Sequence, residues 1–184
     1  MPVPSPNLYP PFNVVRLSHI GLNVRDLKKS RAFYVDTLGL QVTYEDSETI
    51  TLRALEERGH HCMVLTRADE PSVEYLAFKL YAEEDLEKAE AYFRAKGLPV
   101  EYVERAYQSK TLRTRDNLGV PIEFFVSMDK LEPIHQKYEL YRGVKPLRID
   151  HFNIFSTNVD ESAAFYNDFG FRVTEYTEDE ETGR

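Results

Sequence analysis

The chain has one cysteine, Cys62, among 184 residues, so no internal disulfide can staple it. A reducing, cytoplasmic setting is the simplest expectation. No apolar run approaches the ~20 residues that cross a bilayer. The start shows no basic patch followed by an apolar stretch, so no signal peptide is visible. Basic charge is in deficit: 23 Lys and Arg face 31 Asp and Glu, a net charge of -8 with a pI near 5.2. That balance argues against a nucleic-acid partner, whose phosphates need a basic surface. Proline is scarce except at one end. Five of the ten prolines fall within residues 1–13 (Pro2, Pro4, Pro6, Pro10, Pro11), which predicts an extended arm, because proline interrupts helices and central strands. The rest is ordinary: 42% hydrophobic and 29% charged residues are those of a soluble globular protein.

The main positive feature is a repeat. LSHIGLNVRDLKKSRAFYVDTLG, at 17–39, is echoed by IDHFNIFSTNVDESAAFYNDFG, at 149–170. Superposing His19 on His151 also aligns Ser30 with Ser162, Ala32 with Ala164, Phe33 with Phe165, Tyr34 with Tyr166 and Asp36 with Asp168. One skipped residue then aligns Gly39 with Gly170 and Val42 with Val173. Each copy reads as a strand with a central histidine, an amphipathic helix, a glycine stop and a further strand.

The periodicity extends this plan. A strand over Val14–Val24 should place Ile20, Leu22 and Val24 on one face and Leu17, His19, Gly21 and Asn23 on the other. Asp26 caps a helix running to Leu38, and strands follow over 41–45, 50–55 and 62–66. The order then recurs: strand 73–81, helix 84–96 with Gly97 as stop, and strands 100–104, 111–115 and 121–126. Strands outnumber helices, which predicts an α+β domain with helices covering one face of a mostly antiparallel sheet. Residues 14–127 thus form a domain of two βαβββ units, and 128–146 a connection. Residues 147–184 open a third unit, with strands over 148–155 and 171–177 around a helix at 160–169. That unit is incomplete, and its apolar face needs cover from elsewhere.

His151 is the sharpest chemical candidate. In IDHFNIF it shares a face with Asn153, opposite Phe152 and Ile154. An imidazole facing away from the apolar layer needs a polar partner or a metal. His60 and His61 are adjacent, so strand alternation should turn them apart and deny them a shared ion; structural or inter-domain contacts are expected. Cys62 reads as a small packed residue and His135 as solvated. The acidic runs EEDLEKAE and EDEETGR read as a solvated helix face and tail.

The unit order and four segments resemble the type I extradiol ring-cleaving dioxygenases of the vicinal oxygen chelate superfamily. The segments are DLKKSRAFYVDTLGLQVTYED (26–46), TITLRALEERGHHCMVL (49–65), DNLGVPIEFF (116–125) and LRIDHFN (147–153). Within that family the resemblance is to the members acting on homoprotocatechuate, which is 3,4-dihydroxyphenylacetate. It implies O2-dependent cleavage of a catechol at a non-haem Fe(II) or Mn(II), in a cytoplasmic homo-oligomer, by resemblance a tetramer. It also implies that His151 is a metal ligand, with Asn153 on the substrate side or else serving the strand's backbone. The second histidine and the glutamate of the family's triad belong to a fourth unit, which this chain lacks, so the chain alone is expected to be inactive. In the first two units the corresponding positions hold His19, Tyr75 and Glu123. They read either as a metal-poor remnant, with His19 and Glu123 hydrogen-bonded in a dry cleft, or as a second metal site. The alternative to the enzyme is a metal-free binding or scaffold domain of the same superfamily.

Overall fold

Strands β1 (Val14–Val24) and β5 (Ser72–Leu80) run antiparallel at the centre of one eight-stranded sheet. Each opens a unit of the same design. β1 leads into α1 (Leu27–Arg31), which continues as a π-helical turn (Ala32–Thr37), then β2 (Gln41–Glu45), β3 (Thr49–Arg53) and β4 (Met63–Arg67). β5 leads into α2 (Glu83–Ala95), β6 (Glu101–Val103), β7 (Thr111–Arg115) and β8 (Pro121–Phe125). In both units the last strand returns parallel to the first, β4 beside β1 and β8 beside β5. The sheet order β2-β3-β4-β1-β5-β8-β7-β6 is therefore pseudo-symmetric about the β1–β5 seam. This is the α+β architecture that the periodicity predicts. The computed structural model describes residues 3–177, and the acidic run EDEETGR lies outside them.

Local signals place the elements. The Asp26 carboxylate accepts from Lys29 N at 2.9 Å and starts α1. Gly39 and Gly170, aligned by the repeat, end their helices at φ +94° and +103°. On the helix-facing side of the sheet, Leu76, Phe78, Leu80, Leu112, Ile122 and Phe124 pack against Leu86, Ala89 and Phe93 of α2. Ile50, Leu52 and Leu65 pack against Leu27 beneath the first helix. The opposite, concave side carries Tyr75, Ala77 and Phe125, the face that alternation assigns to Tyr75 and Ala77.

One facing is reversed. Leu17 joins Ile20 in the helix-side core rather than sharing the face of His19. Leu17 pairs with Phe78 and His19 with Ala77, so two steps on β1 match one on β5. Ser18 is the inserted residue, and a bulge inverts alternation on one side of itself.

The proline-rich arm is extended, but it is anchored. Phe12 is fully buried, with its ring stacked on Phe169 at 5.5 Å and edge-on to Phe124 at 5.6 Å. Asn13 donates from N and Nδ2 to the Asp85 carboxylate. Asp85, expected on a solvated helix face, is therefore buried, because it accepts from the arm and from Ala82 N. Residues 128–146 also lie against the first two units. Single bridges join Gly59 to Lys130 and Gln108 to Met128, and a 3-10 turn forms at Tyr138–Leu140.

Of the third unit, the helix α3 (Val159–Asp168) forms as expected. Residues 148–155 and 171–177 are not strands. The first segment keeps its alternation: His151, Asn153 and Phe155 face outward, while Phe152 and Ile154 pack onto the core around Phe78. A strand needs a neighbouring backbone to take its N–H and C=O groups, and no described segment runs beside this one as a ladder partner.

Candidate functional site

Two places answer the sequence candidates. His151 stands on the outer side of the 148–155 segment with its side chain 82% exposed, its nearest polar neighbour being Asp150 Oδ2 at 3.5 Å from Nδ1. Asn153 faces the same way. Both border an open groove of about 500 Å³ whose floor is apolar, including Leu17, Phe78, Phe152, Tyr166 and Phe171. The groove runs between the sheet and α3, so the third unit packs on the helix side, with Ile149 joining the first unit's core.

The second place is the concave face. His19 pairs with Ala77, and Ala77 with Glu123, so the histidine and the glutamate lie in one row across the seam, with Tyr75 two residues along β5. All three are buried. They do not form the hydrogen bond expected between His19 and Glu123. Glu123 accepts instead from Arg105 (Nη2 2.7 Å, Nε 3.2 Å) and from Arg113 Nε at 2.8 Å. Arg113 is the cross-strand neighbour of Glu123 on β7. Glu74 pairs with both guanidiniums at 2.9 and 3.5 Å. A buried carboxylate must be charge-paired and hydrogen-bonded, and two arginines satisfy Glu123 more completely than one neutral imidazole. The Arg105 guanidinium also lies 4.2 Å from the Tyr75 ring centroid. Burial alone would discourage its charge, but the Glu123 hydrogen bond and charge outweigh that and raise its pKa.

His19 Nδ1 meets Ser18 Oγ at 3.1 Å, and Nε2 is buried without a partner. Its ring touches His61, Tyr75 and Phe125 edge-on. Burial lowers its pKa, and the His61 and Arg105 charges add to this, so it is neutral. Gly21 is required beside it, since a Cβ there would enter the Tyr75 ring. Among the described residues no three His, Cys, Asp or Glu side chains come together as a metal-binding group.

His60 and His61 do not turn apart. They precede β4, where strand alternation does not apply, and their Nδ1 atoms are 3.2 Å apart. Burial pushes His61 down to about 3. Cys62 is packed as expected, its thiol pushed up to about 12 by burial, and His135 is exposed. Sequence reasoning missed Arg105 and Arg113. The alternating arginines of TLRTR, beside a strand with a mid-strand glutamate, were the available signal for Arg113; Arg105 sits on a loop and left none.

The paired units, the pseudo-symmetric sheet and the concave face between them define a duplicated βαβββ protein. The chain belongs to the Glyoxalase/Bleomycin resistance protein/Dioxygenase superfamily, whose model matches residues 16–124 and 148–184. A homoprotocatechuate 2,3-dioxygenase of Brevibacterium fuscum, solved as its complex with 3,4-dihydroxyphenylacetate, is similar with a TM-score of 0.90 and 38% identity. The match covers 97% of this chain and 57% of that one. The Arthrobacter globiformis homoprotocatechuate 2,3-dioxygenase gives 0.89 and 38%, covering 97% and 56%. A manganese-dependent 2,3-dihydroxybiphenyl 1,2-dioxygenase of Geobacillus genomosp. 3 is 33% identical over 175 residues, 89% of this chain and 56% of that protein. The chain spans about half the length of the relatives it matches. Among the described residues no helix is long and apolar enough to cross a membrane.

Proposed function

We propose that the chain is the N-terminal domain (14–127), the connection (128–146) and the opening of the metal-bearing domain (147–184) of an extradiol catechol dioxygenase. The carrying observation is the outward, open placement of His151 beside Asn153, in a chain that matches homoprotocatechuate dioxygenases over nearly all of its length. The reaction is insertion of both atoms of O2 into 3,4-dihydroxyphenylacetate, breaking the ring bond next to the diol without an external reductant.

The residues present do not complete a metal site. His151 offers one imidazole, and the described residues bring no second or third donor to it. A non-haem Fe(II) or Mn(II) with open positions would supply a place for catechol and O2 together, but it needs donors from outside these residues. What the chain itself contributes is one imidazole nitrogen as a ligand and, at Asn153, an amide able to orient a ligand or substrate. The 184-residue chain on its own is inactive in this reading, and the working protein is a cytoplasmic homo-oligomer, a tetramer by resemblance.

The test is a version extended to the full length of the relatives, supplied in turn with Fe(II) and Mn(II), 3,4-dihydroxyphenylacetate and O2. A yellow ring-opened product is expected. His151→Ala should abolish it, together with the bound metal that His151 helps to hold. A colourless result with both metals overturns the reading. It would favour a metal-free binding domain, for which the arginine-filled first cleft is the supporting observation.

A further inference from the structure

The concave face holds a second cavity, of about 470 Å³, between the β2–β3 hairpin and the loop 104–107. That is a usual size for a small-molecule site. The Tyr44 and Tyr107 rings stand at its rim, their centroids 6.2 Å apart and their planes at 54°. One face of Tyr107 is stacked on His60 at 3.6 Å, nearly parallel, and Tyr107 remains partly exposed. Tyr107 is also one of only two non-glycine residues with positive φ among those described, at +67°, a conformation a bulky side chain rarely adopts. The ring stack and a 2.7 Å hydrogen bond from Asp129 N to its carbonyl hold it there. A strained aromatic residue fixed at the mouth of a cavity is a pattern found at binding sites.

The charge of the wall is negative. Arg105 is its cation, and Glu123 and Glu74 already engage it. Asp46 accepts from the Tyr44 hydroxyl at 2.6 Å and from Glu48 N and Thr49 N at 2.8 Å each, so its charge is hydrogen-bonded but, like that of Glu104, has no Lys or Arg partner among the described residues. The inner wall includes His61, 4% exposed. Its Nδ1 faces His60, and its Nε2 makes no hydrogen bond among the described residues. In the tautomer that donates Nδ1–H to His60, Nε2 is left as an unpartnered acceptor.

Two tilted π faces, two carboxylates with no Lys or Arg partner among the described residues and a buried acceptor share one preference, and it is for a cation carrying N–H groups. We propose that this cavity is a binding site for a small organic ammonium ion with short alkyl arms, separate from the groove at His151 and independent of any metal. The alkyl arms lie over Tyr44 and Tyr107, the charge faces Asp46 and Glu104, and an N–H reaches His61.

The experiment is an NMR titration of the 184-residue chain with tert-butylammonium chloride, following tyrosine ring signals and saturation transfer to the ligand. Tert-butanol serves as the neutral isostere, sodium chloride as the salt control, and catechol as a neutral aromatic competitor. Saturable binding of the ammonium is expected, with tert-butanol about tenfold weaker or worse, the size of effect that cation–π contacts give. Tyr107→Gly, which suits the positive φ, and Tyr44→Leu should each weaken binding several-fold, as should the surface change Glu104→Gln. Equal binding of tert-butanol, saturation by catechol but not by the ammonium, or no ammonium binding at all would each overturn the proposal. If Tyr107→Gly does not fold, Tyr44→Leu and Glu104→Gln, both at exposed positions, decide the matter by the same criterion.

Discussion

Glu123 offers the clearest quantitative test, through its contrast with Glu70. Both carboxylates are paired with arginine. The Arg25–Glu70 contact is the shorter at 2.5 Å, but its side chains are 61% and 80% exposed. Glu123 is completely buried and meets Arg105 and Arg113 at 2.7 Å each. Removing one partner of a buried pair leaves an uncompensated charge and costs about 3–5 kcal/mol. An exposed pair is worth less than about 1 kcal/mol. Glu123→Ala would leave two guanidiniums with Glu74 as their remaining shared carboxylate. For a chain of this length each kcal/mol moves Tm by about 2–4 °C. Glu123→Ala should therefore lower Tm by about 6–20 °C and Glu70→Ala by a few degrees at most, measured by thermal and urea unfolding at pH 7. Replacing Glu123 and Arg105 together by Leu and Met should cost less than Glu123→Ala alone, because Arg113 and Glu74 remain a neutral pair. If Glu123→Ala shifts Tm no more than Glu70→Ala, burial is not what makes this cluster matter, and the account of the first cleft fails.

The remaining predictions concern acid and the arm. His61 titrates near 3 when folded, and His19 is lowered too, against about 6.5 unfolded. The unfolded chain therefore takes up protons first, so stability from keeping the His61 ring neutral is full above pH 6.5 and is lost as pH falls towards 3, and burial of His19 acts in the same direction. For His61 the loss is about 1.4 kcal/mol per pH unit. Urea midpoints should fall between pH 7 and pH 5, and His61→Gln should flatten that slope; parallel slopes would refute the assignment. Phe12→Ala removes a fully buried ring and should cost about 3–5 kcal/mol. Because Phe12 stacks on Phe169, it should also speed hydrogen exchange in α3, and unchanged protection there would sever the arm from the third unit.

Most of the scaffold was legible because its signals are local. The Asp26 cap, the glycine stops and the alternation of β5 and β8 each depend on a few neighbouring residues, and the structure reproduces them. Leu17 escaped because a bulge depends on how two strands pair, which one strand's pattern does not contain. The outward facing of His151 and Asn153 was legible for the same local reason and persists without a ladder. The strands expected at 148–155 and 171–177 did not form, since pairing needs a partner that periodicity cannot supply.

The sequence by itself determined the duplicated plan, the order of elements and the faces on which His19, Tyr75, Glu123 and His151 lie, because side-chain period and capping act over a few residues. Only the tertiary structure decided what those faces meet. It brought Arg105 and Arg113 onto Glu123, gathered His19 and His61 beside Tyr75, and set Tyr107 on His60. Those meetings join residues from different strands and loops, and the charge and burial that govern their chemistry exist only once the strands have paired and the loops have packed against them.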